Sequence, residues 1–210
     1  MHQPSVRRPR TLVVCSALAA CTALAGCSSR GALPVTDGDG RIALGGMSAS
    51  RQAADVAASI QSDADILGVL HASNLGEIRA ARVARARATD PGVRDFAAMM
   101  ERDHSRLDER GAEMAQQWGL VPAMPRNQLR DVEESELGVL NAPGVSGSDF
   151  DRRYIATQVL DHERTLAIID AALSRARRPE LRSVLQNEVR PPVAQHLQAA
   201  LALQARIGTP

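Results

Sequence analysis

Glu77, His104, His162 and His196 each interrupt a stripe of apolar residues that recurs every three or four positions. An acid or an imidazole buried among aliphatic side chains is costly unless it finds a partner. Three imidazoles and one carboxylate form a plausible donor set for a divalent metal. They suit zinc, copper or ferrous iron better than magnesium or calcium, which prefer oxygen ligands. The same groups also suit a Glu–His hydrogen-bonded layer that fixes helix register and holds no ion. That plainer reading is preferred on the residues alone, because structural polar networks produce the same pattern. Asp103, Asp161, Tyr154 and Glu188 lie next to these positions or within two or three helical turns of them. They are the candidates to hold the imidazoles from behind. No catalytic residue is assigned.

Four long helices must position this set. The first is expected over residues 63–88 and carries Leu67, Leu70, Asn74, Glu77, Ala81, Ala84 and Ala88 on one stripe. Asp90-Pro91 caps the second, which runs to about Trp118 with Val93, Ala97, Met100, His104, Leu107, Gly111 and Met114 inward. The third opens at Gly147-Ser148-Asp149, ends near Leu173 and carries Ile155, Val159, His162, Leu166 and Ile169. Arg178-Pro179 opens the fourth, which offers Leu185, Val189, Pro192, His196, Leu203 and Ile207 and should kink at Pro191-Pro192. Alternating steps of 3 and 4 mark one inward face per helix, the pattern of an antiparallel four-helix bundle. The long connection between the second and third helices holds one short helix, residues 132–140.

Heights along the bundle follow from a rise of ~1.5 Å per residue. Glu77 lies about 13 residues before the first turn and His104 about 14 after it, both ~20 Å away. His162 and His196 lie about 16 before and about 18 after the second turn, ~24–27 Å away. With both turns at one end, as in an up-down-up-down bundle, the four groups share one slab. The two hairpins also resemble each other, which reads as a weak internal repeat. His71 is off the stripe and falls at its boundary, and Arg79, Arg82, Arg85 and Arg87 read as a solvated face.

Ahead of this domain lies a targeting signal. Residues 1–26 carry Arg7, Arg8 and Arg10, no acid, and an apolar run from Leu12 to Leu24. That run is too short to span a bilayer, which takes roughly 20 residues. It ends in Leu24-Ala25-Gly26-Cys27, which resembles the lipobox of bacterial lipoprotein precursors. In that family the cysteine receives a diacylglycerol and its amino group an acyl chain, and several chains together anchor stably. The expected organisation is a lipoprotein signal peptide over 1–26, a lipid-anchored flexible linker over 27–50, and a helical domain over 51–210. The linker is Gly-, Ser- and Asp-rich, and residues 51–62 are helix-prone but weakly anchored. This places the protein in the cell envelope, on the periplasmic face of the outer membrane in a Gram-negative cell, with the membrane as its first partner.

Composition narrows the chemistry further. Three of the 25 basic side chains precede Cys27 and none of the 24 acids does, so the remainder carries a formal charge of −2 and no footprint for nucleic acid. Cys15 and Cys21 fall in the removed segment, so the domain has no thiolate and no disulfide. The chain has no lysine, which excludes a Schiff base or a P-loop lysine. A Gly-x-Ser-x-Gly elbow and a His-Glu-x-x-His motif are also absent from the sequence. A non-enzymatic envelope protein, structural or stress-related or binding an envelope partner, is the first expectation. A metal-binding or redox protein facing the periplasm is the alternative.

Several of these residues occur in one further pattern. Glu77 is followed by Asp90-Pro91-Gly92-Val93-Arg94-Asp95-Phe96-Ala97, Met100 and Asp103-His104. Phe150-Asp151, Tyr154, His162, Pro192 and His196-Leu197 come after. Over about Asp63 to Arg206 the chain resembles an exported bacterial family, domain of unknown function 4142, often labelled "predicted outer membrane protein". The resemblance implies a ferritin-like four-helix bundle and no established reaction. The wider ferritin-like group builds a di-iron site from a Glu on two helices and Glu-x-x-His on the other two. Glu101-Arg102-Asp103-His104 has that spacing. Val193 stands three before His196, and His162 stands where a Glu is expected, so a full ferroxidase centre is not implied.

Overall fold

The computed structural model describes residues 35–36, 42–43, 49–123, 134 and 136–210. The expected signal peptide, Cys27, most of the expected linker and Val132 lie outside the described residues. Within residues 27–50, Val35–Thr36 pairs antiparallel with Ile42–Ala43. The rest is helical: α1 Ala49–Ser59, α2 Asp63–Arg87, α3 Pro91–Gln117, α4 Gly147–Arg175, α5 Pro179–Val184 and α6 Arg190–Ile207. A π-turn, Leu185–Val189, joins α5 to α6. Residues 136–140 are also helical.

The helix starts follow local capping chemistry. Ser62 Oγ accepts from the Asp65 N–H at 3.2 Å, and Asp90 Oδ1 accepts from the Val93 N–H at 3.0 Å. Pro91 follows Asp90 in the first turn, where a missing N–H costs nothing. Each hairpin turn is also held by a buried aspartate at the start of a long helix from the other hairpin. Asp151 accepts from Thr89 N–H at 3.0 Å, Thr89 Oγ1 at 2.6 Å and Asp90 N–H at 2.9 Å. Asp63 accepts from Arg177 N–H at 2.8 Å and Arg178 N–H at 3.2 Å.

Those two contacts fix the direction of the helices. The end of α2 meets the start of α4, and the start of α2 meets the end of α4. The two hairpin turns therefore lie at opposite ends, not at the same end as an up-down-up-down chain requires. The connection from α3 to α4 accounts for the difference. Ala123 N–H bonds Ala64 O near the start of α2 (3.0 Å), while Arg87, at its end, donates to Leu140 O and Val145 O. Ala123 thus stands beside the start of α2 and Leu140 beside its end, before α4 begins. The polar groups still come level, because each lies near mid-helix and is insensitive to which end is counted from. Packing runs α2 on α3, α3 on α6, α6 on α4 and α4 on α2, with antiparallel neighbours throughout.

Two apolar clusters fill the interior, one around Ile66, Leu67, Ile169, Leu181 and Leu185, the other around Ala84, Phe96, Met100, Phe150 and Tyr154. The polar layer lies between them. Helix α1 is more than a weakly held extension: Ala53, Val56 and Ile60 are buried in the first cluster, and the helix packs along α4. Arg87 is not simply solvated, since it also stacks over Phe150 at 4.6 Å.

The proline pair does not break the last helix. Pro191 and Pro192 have no N–H to give, and the ladder absorbs the loss in the π-turn, where Arg190 N–H bonds Leu185 O, five residues back. This one-residue wide turn also shifts the stripe. Val193 is buried in place of Pro192, followed by His196 and Ala200.

Candidate metal centre

Three helices bring His104 (α3), His162 (α4) and His196 (α6) to one point. Each is 1–2 % exposed, and one ring nitrogen from each lies within 4.8 Å of those of the other two. The ring centroids stand 5.3–5.8 Å apart.

The opposite nitrogen of each ring is occupied. His104 Nδ1–H donates to Asn74 Oδ1 of α2 at 2.9 Å, and His162 Nδ1–H donates to the Gln158 carbonyl at 2.8 Å. His196 Nε2–H donates to Asp103 Oδ2 at 3.1 Å. An acceptor on one nitrogen fixes the tautomer and leaves a bare lone pair on the other. Those remaining nitrogens, His104 Nε2, His162 Nε2 and His196 Nδ1, have no hydrogen-bond partner among the described residues.

Electrostatics keep the rings neutral. Burial pushes His104 well below its ordinary value, and the neighbouring His162 and His196 push the same way. Burial and His196 bring His162 down to about 4. Burial also lowers His196, with the Asp103 contact opposing it. Burial pushes the Asp103 carboxyl up, but hydrogen bonds from His196 and Arg102 outweigh that and hold it below its usual range. At neutral pH the layer therefore presents three unprotonated imidazoles backed by an ionised carboxylate.

Glu77 shares the layer but not the converging set. Its Oε2 accepts from Gln158 Nε2 at 2.8 Å, and its Oε1 lies 3.7 Å from His162 Nδ1, the far side of that ring. Its place is therefore behind His162, although its height on α2 is the one expected. Asp161 is bound to Arg164, which also pairs with Glu136 at 3.1 Å, all three buried. Burial and the nearby Asp161 raise Glu136 well above the carboxylate range. Tyr154 is fully buried with its hydroxyl unpartnered among the described residues, edge-on to Phe96. Glu188 lies outside the layer: it is half-exposed and pairs with Arg110 at 3.0 Å, because the π-turn carries it to the surface. Glu101, which completes Glu-x-x-His on α3, faces Arg82 and Arg85 outside.

The residues that sequence reasoning left unassigned are Asn74 and Gln158. Both carried a signal. Asn74 stands on the same stripe as Glu77, one turn before it, and Gln158 is one turn before His162. A polar residue one turn from a buried glutamate or histidine on an apolar face is the pattern to look for.

Ions bound by histidine sit about 2.0–2.1 Å from nitrogen, which puts ligand nitrogens about 3.4 Å apart in a tetrahedral site. Three neutral imidazoles then leave a fourth position open.

No curated protein and no solved structure matches the chain. A family model described as a domain of unknown function, DUF4142, matches residues 47–203, from just ahead of α1 to within α6, and so includes all three histidines. The chain belongs to the DUF4142 family.

Proposed function

We propose that this is a lipid-anchored cell-envelope protein whose antiparallel four-helix, ferritin-like bundle holds one zinc or copper ion on His104, His162 and His196. The observation that carries the reading is the convergence of three buried imidazoles, one nitrogen of each within 4.8 Å of the others, with one nitrogen of each ring lacking a partner among the described residues. A structural Glu–His layer would pair those nitrogens with donors. Here each ring has spent its N–H on an acceptor and keeps a buried lone pair without a donor among the described residues. An unsatisfied buried acceptor costs about 1–3 kcal/mol, so three together call for a cation in their midst. Ferrous iron is less well served, because it favours a carboxylate among its ligands and Glu77 stands behind His162.

The anchor reading rests on Leu24-Ala25-Gly26-Cys27 and on the Arg-led apolar segment before it. It makes the role that of a metal-holding protein beside a membrane, without a reaction of its own. Mass analysis of the mature protein tests it: a diacylated, N-acylated Cys27 supports it, and an uncleaved or unmodified chain refutes it.

The metal reading is tested by elemental analysis of the protein purified without a metal-affinity tag, beside a His104→Ala/His162→Ala variant. One zinc or copper per chain, lost from a variant that keeps its helical circular dichroism, is the expected result. A native protein that takes up no ion after incubation with zinc, copper and iron in turn would leave a purely structural layer.

A further inference from the structure

The nitrogens of the triad are shut off from solvent, so an ion needs a way in. A cavity of about 260 Å3 lies over the seam of α2 and α3, walled by aliphatic side chains such as Leu67 and Leu107. Its polar lining is ordered by depth. His71 and Asp108 are part-exposed and bonded to each other, Nδ1 to Oδ1, at 2.6 Å. Asn74 is buried, and it holds the back of His104. These are successive rungs of one ladder. Asn74 follows His71 by three residues on α2, and His104 precedes Asp108 by four on α3, so one rung stands about 5–6 Å behind the other. Each rung offers an imidazole and an oxygen donor. Arg110, the cation on the lining, is neutralised by Glu188 at 3.0 Å and Glu113 at 3.6 Å.

The other approach to the layer is less suited. The space between α2 and α4, bordered by Glu77, Glu136 and Asp161, amounts to about 20 Å3, room for roughly one water. Its charged lining is already engaged, Arg164 with Asp161 and Glu136, and Glu77 with Gln158.

We infer that the α2–α3 cavity is the exchange route of the metal centre, with His71 and Asp108 as a transient outer station that hands a divalent ion past Asn74 and around the ring of His104 to its unpartnered Nε2. The inference rests on the metal reading above. It has a kinetic signature: a route changes uptake and release in the same proportion and leaves affinity alone. Gly111 supplies the plug. It lines the cavity, and a Cβ built there meets nothing within 4 Å. Gly111→Leu therefore fills the cavity from a helical position where leucine is favoured over glycine.

The experiment uses Co(II), whose visible absorption reports a four-coordinate nitrogen site. Stopped-flow mixing with apo protein gives uptake, and excess chelator gives release. Gly111→Leu is expected to slow both by roughly tenfold with Kd unchanged. His71→Ala/Asp108→Ala is expected to slow both severalfold while the final absorption stays at the native level. Native rates in both variants would overturn the route, as would a raised Kd with release unchanged in either. If the native protein never develops the band, the metal reading itself fails and the route fails with it. A normal band with unaltered rates removes the route alone.

Discussion

Asp103→Asn separates the two roles of the carboxylate behind His196. The side chain stays isosteric and keeps an oxygen that accepts the Nε2–H now held at 3.1 Å, so the tautomer of His196 survives. Only the negative charge is lost. An ion on His196 Nδ1 would lie across the ring from Asp103, about 7 Å from its oxygen at ordinary metal–nitrogen distances. A divalent ion and a unit charge at about that separation attract by roughly 1 kcal/mol in water and 5 kcal/mol at an effective dielectric of 20. Asp103 is 17 % exposed, which places it between those limits. Loss of such a supporting group typically costs about 10–100-fold in metal affinity, or 1.4–2.8 kcal/mol, within the same range. Arg102, whose Nε lies 3.1 Å from Asp103, is largely exposed, so its lost pairing contributes little. Competition with a chromophoric zinc chelator measures the affinity, and thermal melts of the apo forms control for folding. The expected outcome is a Kd raised by that factor with an apo melting temperature close to native. A Kd within about twofold of native would refute the reasoning, since no charge at that distance from a divalent ion is so weak.

Other outcomes follow from the same geometry. The metal-free protein should lose stability as pH falls from about 6.5 to 4: the unfolded chain binds a proton at His162 that the folded chain refuses until about 4. That gap amounts to roughly 3 kcal/mol for this group at the acid end, and His104 and His196 shift in the same direction. Denaturant melts from pH 7 to pH 4 check it, and a flat profile would show that the rings protonate in place. Asp151→Ala leaves the Thr89 and Asp90 N–H groups and the Thr89 hydroxyl without their acceptor, and should cost about 2–4 kcal/mol by chemical denaturation. Gly68→Ala sets a Cβ 1.8 Å from Ala123 O, where the chain crosses α2, and should cost about 1–3 kcal/mol. Exchange of the Ala123 amide, bonded to Ala64 O, should quicken in that variant.

The helices were legible because their apolar faces repeat strictly and three of their starts carry Asp90-Pro91, Gly147-Ser148-Asp149 and Arg178-Pro179. The common level of His104, His162 and His196 was legible too, though the assumed direction of the second hairpin was wrong. Direction is set by Asp151 and Asp63 reaching across to the opposite turns, contacts more than 60 residues apart in sequence that no local period reports. Glu77 illustrates a second limit. Register gives the height of a side chain but not which side of a ring it meets, and Glu77 meets the far side of His162. Glu188 fell outside because a 3.6-residue period was carried through Pro191-Pro192, whereas the chain there makes a wider turn.

That wider turn makes the last helix sensitive to counting. The turn already holds one residue more than an α-helical turn, so a further residue inserted between Leu185 and Val189 would turn everything beyond it by about 100°. His196 would then leave the interior while α6 stayed helical and its composition barely changed. A single in-frame insertion in this stretch is therefore a more selective lesion than most substitutions, one that takes His196 out of the polar layer and spares the scaffold. Leu185 and Val189 of the turn are themselves buried, so the turn is held by its packing as well as by its length.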